Sequence, residues 1–465
     1  AHAVVSVKTS RPGLLPHASL PLLNMTAARA WVVSARRAFS SVRPPSFAPA
    51  ALGLPRSGIR EVMDLAWSME STGSRVYHLE VGQPMFEPPP AALVNVSESV
   101  RELPNQRYIP NAGLNGLRST VASYYNRRFP HLRHTSENVV ISHGAVGSLA
   151  TAFMATIEAG DEVLIPNPAW PNYEMAIRLY NGVPKSYDLD PNDGWKLDFD
   201  SLVKAITPRT KMVVVCTPSN PTGTCLSKEE LERVVAIAKE HGIFVVSDEI
   251  YSQVYFGEEE NDQRSEAFSI LDCAHFCPDS TIVVSGVSKA YSMTGFRVGW
   301  LLGSPHLIDL SSKLSEAFLS CGVPFAQTAA KTAIETCMKE DDTFVQDCVA
   351  EYRDRRDAAL SVMAGYDSLC QYTPQGAFYC LVSIRKWVDT NKDWLEDQYP
   401  GEPASKVFCQ ELLKAACVAV SPGATFGSNA ANFIRVSLAQ DHETVVQGIE
   451  RLCKFIVDET PLKND

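Results

Sequence analysis

Short apolar runs recur along the chain, most of them followed by a turn bearing glycine or proline. They are Val139-Val140-Ile141-Ser142-His143, Met212-Val213-Val214-Val215-Cys216, Ile243-Phe244-Val245-Val246-Ser247-Asp248, Thr281-Ile282-Val283-Val284-Ser285 and Val298 to Leu302. Runs this short, rich in β-branched residues and without strict alternation, predict strands buried on both faces. Helices are predicted between them. Ser227 and Glu230 form a capping box before Leu231-Glu232-Arg233-Val234-Val235-Ala236-Ile237-Ala238-Lys239, and Gly242 ends that helix. Repeated β–α units predict an α/β fold with a mainly parallel sheet and helices on both faces. A polar helical stretch containing Asp354-Arg355-Arg356-Asp357 follows Lys339, which places a linker near 335–345.

Composition narrows the function classes. At 465 residues, 45 % hydrophobic and 20 % charged, the chain has ample core for two or three domains and reads as an ordinary globular protein. Residues 1–60 hold no Asp or Glu but eight Lys or Arg, from Lys8 to Arg60. A basic, acid-free, Ala- and Ser-rich leader is the pattern of an organellar presequence. Its best part runs from Met25, the expected initiator, through Arg29, Arg36 and Arg37. A mitochondrial destination is favoured over a plastid, and a disordered basic tail is the plain alternative. The apolar runs there are too short and too broken by arginine for a secretory signal. Removal of residues 1–56 takes away seven basic groups and moves the net charge from −11 to −18. So acidic a protein is not expected to bind nucleic acid non-specifically. No membrane-length apolar span, zinc spacing or repeat stands out. All twelve cysteines lie beyond position 215 without paired spacing, as in a reducing compartment. Cys273-Ala274-His275-Phe276-Cys277 lacks a fourth ligand and reads as buried thiols beside a surface histidine, not a metal site.

The candidate chemistry centres on Gly286-Val287-Ser288-Lys289-Ala290-Tyr291-Ser292-Met293-Thr294-Gly295-Phe296-Arg297-Val298-Gly299. A lysine at a buried strand end, with no charged neighbour in sequence, is poorly hydrated, so its pKa falls and the amine becomes nucleophilic. Taken alone, a solvated lysine near an unrelated arginine competes with this reading. Three upstream segments decide against it. Asp248 ends a strand at the edge where ligands bind in open α/β sheets, although a Ser-Asp-Glu run also caps helices. Asn220, in Thr217-Pro218-Ser219-Asn220-Pro221-Thr222-Gly223, is fixed by two prolines and a glycine, although an Asx-type turn is the plainer reading of that segment alone. Gly144-Ala145-Val146 opens a helix after a strand, a seat for an anion.

The lysine segment resembles the motif of class I/II pyridoxal-phosphate aminotransferases, and the other segments follow in that family's order, over about residues 57–460. The resemblance implies pyridoxal 5′-phosphate as cofactor, held covalently by Lys289. Asp248 pairs with the pyridine nitrogen, and Tyr251 and Asn220 bond the phenolic oxygen. Trp170 stacks on the ring. Gly144, Ala145, Val146, Ser288 and Arg297 take the phosphate, and Arg435 in Asn432–Ala439 clamps the substrate α-carboxylate beneath Gly82. An ordinary core tryptophan and an edge-strand arginine are the plain readings of Trp170 and Arg435. Tyr108 in Arg107–Gly113 resembles the tyrosine sent to a neighbouring subunit's phosphate, which implies a homodimer with shared sites. The implied fold has a large domain over 101–340 with a seven-stranded-type, mainly parallel sheet. Residues 57–100 and 341–465 then form a smaller α+β domain. Gly286 departs from the family, where many relatives carry a hydroxyl touching the phosphate; Ser285 lies one step earlier. The implied activity is ping-pong transfer of an amino group from an L-amino acid to a 2-oxo acid. Carbon–sulfur elimination and aminocyclopropane-carboxylate formation are the alternatives with the same cofactor. A non-enzymatic regulator is disfavoured because Lys289 is retained. Prephenate-using relatives tend to carry Lys where Val146 stands; the donor and acceptor stay open.

Overall fold

The computed structural model describes residues 47–54, 58–257, 262, 264–366 and 369–457. The leader reading therefore falls almost wholly outside the described residues. Of the N-terminal unit, Pro49–Leu52 form a helical turn. The second compact unit begins at Gly53 and carries everything discussed below.

Its first elements are the helix Gly58–Ser71 and strand β1 (Tyr77–His78). The main sheet follows: β2 (Val139–His143), β3 (Glu162–Asn167), β4 (Val183–Asp190), β5 (Lys196–Leu197), β6 (Thr210–Cys216), β7 (Phe244–Asp248), β8 (Thr281–Gly286) and β9 (Val298–Leu302). Their order across the sheet is β2-β9-β8-β7-β6-β3-β4-β5. Only β9, against β2 and β8, and the two-residue β5, against β4, run antiparallel. The expected mainly parallel sheet is present, with β5 as an eighth strand at one edge.

Alternation along each strand divides the core between the two faces. Val139, Ile141, Val213, Val215, Val245 and Val283 face one way, onto Leu117, Val121, Leu231, Val234 and Ala330 of three helices. Val140, Met212, Val214, Val246, Ile282 and Val284 face the other way, onto Leu149, Phe153, Ile177 and Leu307. Because most residues of these runs are buried on one face or the other, the sequence shows continuous apolar stretches. The capping box at Ser227–Glu230 forms as expected, and Gly242 closes that helix at φ 64°.

A separate core gathers residues from 62–79, 251–256 and 348–456. It contains β10 (Tyr379–Ser383), β11 (Val418–Ala419), β12 (Ser421–Pro422) and β13 (Phe433–Ser437), with β13 between β10 and β12 and β1 paired to β11. Two helices, Phe344–Met363 and His442–Val457, cover it. The stretch expected to be a polar helix is helical, but Arg355 and Arg356 are buried. Arg355 donates to Ala439 O and lies over the Phe86 ring; Arg356 donates to Pro374 O and lies over Phe256. Carbonyls, ring faces and the carboxylates of Glu351 (3.4 Å from Arg355) and Asp357 (2.7 Å from Arg356) take the place of water around the guanidinium groups.

Among the described residues no helix is long and apolar enough to cross a membrane, and no group of His, Cys, Asp or Glu is arranged to hold a metal ion. Cys273 is buried, but Cys277 is exposed. The pair of buried thiols expected there is thus reduced to one, because the chain leaves the core after Cys273.

Candidate active site

The parallel strands deliver their C-terminal ends to one edge of the sheet, and most of the sequence-selected residues meet there. Register sets the spacing: Cys216 pairs with Asp248, Asp248 with Val284, and Gly286 with Gly299. β9 runs against its neighbours, so Arg297, immediately before it, reaches the same edge. The cavity above this edge has a volume of about 340 Å³. Lys289, Asp248, Asn220, Tyr251, Trp170, Ser288, Ala145, Val146, Arg297, Gly82 and Arg435 all line it. Two selected residues do not. Gly144 lies beneath the Arg297 guanidinium, and Tyr108 is 89 % exposed on the surface of the chain.

The charge of the cavity is its defining property. Among the described residues three basic side chains, Lys289, Arg297 and Arg435, share it with a single carboxylate, Asp248. Lys289 Nζ donates to Gly82 O at 2.6 Å. Burial is the main reason its pKa falls to about 7; Arg435 and Arg297 push it further down and Asp248 opposes them. The low pKa expected from the strand-end position is therefore present, but the lysine does have charged neighbours, brought in by tertiary structure. Asp248 is buried, and desolvation lifts it to about 6 against the Tyr173 hydroxyl, the Ile250 N–H and Lys289, all of which favour the charged form. Tyr173 Oη donates to Asp248 Oδ2 at 2.6 Å and the Ile250 N–H to Oδ1 at 3.2 Å.

Arg435 occupies the central strand of its sheet, fully buried, not the solvent-facing edge. Its guanidinium donates to Asn220 Oδ1 (3.0 Å), Glu80 O (2.5 Å) and Ser421 Oγ (3.2 Å), while Nε has no partner. Tyr379 and Phe426 cover it at 4.3 and 4.9 Å from their ring centroids. Among the described residues no carboxylate pairs with it. A buried guanidinium bonded only to neutral oxygens is poised for an incoming anion.

Arg297 is the second such group. It adopts the left-handed conformation (φ 55°) and donates to Thr294 O at 2.8 Å. Its guanidinium lies so close to Gly144 (φ 70°) that a Cβ there would sit 2.6 Å from Nη2. Gly144 begins the helix Gly144–Thr156, which has no side-chain cap on its first N–H groups. An uncapped helix N-terminus, a planar cation and the adjoining Ser288 together make a seat for a phosphate. Ser285 does not join them, because its hydroxyl is bonded to Glu249 O at 3.2 Å. The residues present thus fit pyridoxal phosphate: an anion seat at one end, a low-pKa lysine beside it, and a buried carboxylate below.

Several lining residues escaped the sequence reading. Tyr379 bonds the Tyr251 hydroxyl at 2.8 Å and fills the space where a Gly82 side chain would be, 1.7 Å from an added Cβ. Nothing local marks it, since it is one apolar-strand residue among others. Tyr173, three residues after Trp170, could have been noticed as a second aromatic in the same turn. A larger open cavity of about 910 Å³, around Tyr124, Arg128 and Glu266, holds none of the selected residues, and its Arg128 is already paired with Glu266 at 2.5 Å.

Comparison with known proteins gives the family. The family model for aminotransferase class I and II matches residues 74–452, and the chain belongs to that family. A putative aminotransferase of Bacillus subtilis is 32 % identical over 403 residues, 86 % of this chain and 95 % of its own length. A Petunia hybrida protein described as a bifunctional aspartate aminotransferase and glutamate/aspartate-prephenate aminotransferase is 30 % identical over 417 residues, covering 90 % and 84 %. Among solved structures, Thermus thermophilus aspartate aminotransferase with maleate superposes with a TM-score of 0.77 at 29 % identity, covering 88 % of this chain and all of the other. The protein is a pyridoxal-phosphate-dependent aminotransferase, acting on an amino acid and a 2-oxo acid.

Proposed function

We propose that Lys289, Asp248 and Arg435 carry the transamination in this chain, with Arg297 and the start of the helix Gly144–Thr156 holding the cofactor phosphate. The observation that carries this reading is the imbalance of the cavity, where two arginines without carboxylate partners among the described residues flank a low-pKa lysine. Bound pyridoxal phosphate supplies an aldehyde that condenses with amines and a protonated ring that accepts electrons from the substrate Cα–H bond. The chain's own residues bind, orient and move the proton. Arg297, Ser288 and the N–H groups at Ala145 and Val146 fix the phosphate. Asp248, held by Tyr173 and Ile250, accepts from a cationic ring N–H, and that cation would restore its charge against burial. Tyr251 and Asn220 would offer a hydroxyl and an amide to the phenolic oxygen, and Trp170 would stack on the ring. Arg435 takes the α-carboxylate with its planar fork. The amino acid would thereby be oriented so that its Cα proton can pass to Lys289 Nζ, which would hold it for return.

Two substitutions separate the two arginines. Arg435→Lys keeps a charge but loses the fork, so amino-acid affinity should fall by about tenfold or more while cofactor stays bound, a loss within the roughly 1.5–3 kcal/mol of a charge-assisted hydrogen bond. Arg297→Lys should do the reverse and loosen cofactor first. Cofactor dissociation constants and half-reaction rates of both variants check this; release of cofactor by Arg435→Lys with unchanged amino-acid affinity would show that the assignments are exchanged or wrong.

We further propose that the protein acts as a homodimer in which Tyr108, fully presented to its surroundings, completes the partner's phosphate site. Sedimentation at the monomer mass would contradict this. The basic, acid-free leader supports a mitochondrial destination, which a reporter fused behind residues 1–56 tests; retention in the cytosol would count against it.

A further inference from the structure

One buried acid beside the cavity has no task in the chemistry above. Glu80 has no exposed surface. Its Oε1 is 2.8 Å from His78 Nδ1, and Oε2 is buried without a partner. The other ring nitrogen of His78 lies 3.1 Å from Glu70 Oε1 on the helix Gly58–Ser71. The imidazole therefore bridges two carboxylates. The bond to Glu80, before any other cause, raises its pKa to about 9.

The backbone of the same residue reaches the substrate clamp. Glu80 O accepts from Arg435 Nη2 at 2.5 Å and from Ser421 Oγ at 3.0 Å. Two residues on, Gly82 O accepts from Lys289 Nζ. The segment is fixed on both sides, since the Leu79 N–H bonds Ala419 O and the Ser437 N–H bonds Leu79 O. Five consecutive residues thus join an ion pair to both the clamp and the reactive lysine.

We propose that His78 and Glu80 form a charged positioning pair that holds residues 79–82 against Arg435 and Lys289 and sets how tightly Arg435 takes the substrate carboxylate. The inference rests on Arg435 being that clamp. A carboxylate buried near Arg435 opposes the arriving substrate carboxylate unless its own charge is balanced. Protonated His78 supplies that balance and leaves the arginine bonded to neutral oxygens, with its Nε unpartnered. The charged and titratable groups around the pair are Glu70 from the helix Gly58–Ser71, Arg435 from β13, and Arg451 from the helix His442–Val457, which lies over the adjoining Tyr77 ring at 4.9 Å. Tyr379 and Tyr251 lie beyond Arg435, and β11 presents Val418 and Ala419. Below about pH 9 the imidazolium persists and the pair is intact; above it the charge is lost.

The test uses the holoenzyme and its variants Arg435→Lys, His78→Asn, Glu80→Gln and the double variant His78→Asn/Glu80→Gln. The readouts are KM and kcat for the amino-acid half-reaction and the inhibition constant of 3-phenylpropionate, a carboxylate without an amino group, between pH 6.5 and 10. His78→Asn should raise KM and the inhibition constant about tenfold with a smaller change in kcat, in the range of couplings within one hydrogen-bonded network. The double variant, with neither charge, should recover most of that loss. In the native protein inhibition should weaken as pH passes about 9; in Glu80→Gln this step should move to lower pH, and in the double variant it should vanish. A double variant no better than His78→Asn, or a pH step unchanged in Glu80→Gln, overturns the proposal. The Glu80→Gln arm decides the matter even if His78→Asn does not fold. If Arg435→Lys leaves 3-phenylpropionate inhibition unchanged, the clamp assignment itself fails; if it weakens inhibition and the pair variants do not, only the present inference fails.

Discussion

Lys289→Ala is expected to lower turnover by roughly four orders of magnitude, the upper range for loss of a positioned proton-transfer group, with a further loss from the missing covalent anchor. The fold should survive, because the amine makes one hydrogen bond, to Gly82 O, and removing a buried cation from between two arginines relieves repulsion. Cofactor should still bind through its phosphate, at Arg297 and the helix start, but borohydride should no longer fix a pyridoxyl group to the chain. In the native protein the fixed group should map to Lys289 by peptide analysis. The depressed pKa gives a second readout. Below about pH 7 the amine is protonated and cannot attack an aldehyde, and above it the free base predominates. Capture of pyridoxal phosphate by apoprotein, followed by absorbance, should therefore rise through an inflection near pH 7 and not near 10.5. A reduced adduct on another lysine would remove Lys289 from the mechanism.

Much of this site could be read before its geometry was known, for a physical reason. Lys289, Asp248, Asn220, Trp170 and Gly144 lie at or just beyond the ends of β8, β7, β6, β3 and β2, strands buried on both faces. Double burial demands an unbroken apolar run, so a polar or glycine residue at its end is conspicuous. The two-residue strands β1, β11 and β12 left no such trace, because a pair of hydrogen bonds imposes no period on the side chains. The small sheet that holds Arg435 was therefore legible only through its family motif. Tyr379 and Glu80 were invisible for a different reason. Each owes its position to chain segments hundreds of residues away: Tyr379 meets Tyr251 and Gly82, and Glu80 meets Arg435 and Ser421. Arg355 and Arg356 show the converse limit. A stretch that reads as a solvated helix face is buried, since Phe86, Phe256 and two carbonyls from elsewhere in the fold receive the guanidinium groups.

Asp248→Asn should leave the cavity's shape intact and still cost roughly three orders of magnitude in the amino-acid half-reaction, about 4 kcal/mol of barrier. The side chain is nearly isosteric and sits in the same frame: the Tyr173 hydroxyl donates to one oxygen and the Ile250 N–H to the other. Those two donors need acceptors, and an amide can satisfy only one of them with its oxygen. Whichever way it turns, its NH₂ meets a donor, which loosens the residue. The larger effect is on charge. A carboxylate favours a protonated ring nitrogen, whereas a neutral amide gives that proton no electrostatic support in a site already crowded by Lys289, Arg297 and Arg435. Loss of a charge-assisted hydrogen bond alone accounts for about 1.5–3 kcal/mol; the remainder is the weaker electron acceptance of an unprotonated ring as the Cα–H bond breaks. The effect should therefore fall on the rate of proton abstraction, measured in single-turnover experiments with a Cα-deuterated donor, and much less on the cofactor dissociation constant. Near-normal single-turnover rates in Asp248→Asn, with cofactor bound, would mean that this carboxylate does not face the ring nitrogen. Its burial with Tyr173 would then be a matter of packing alone.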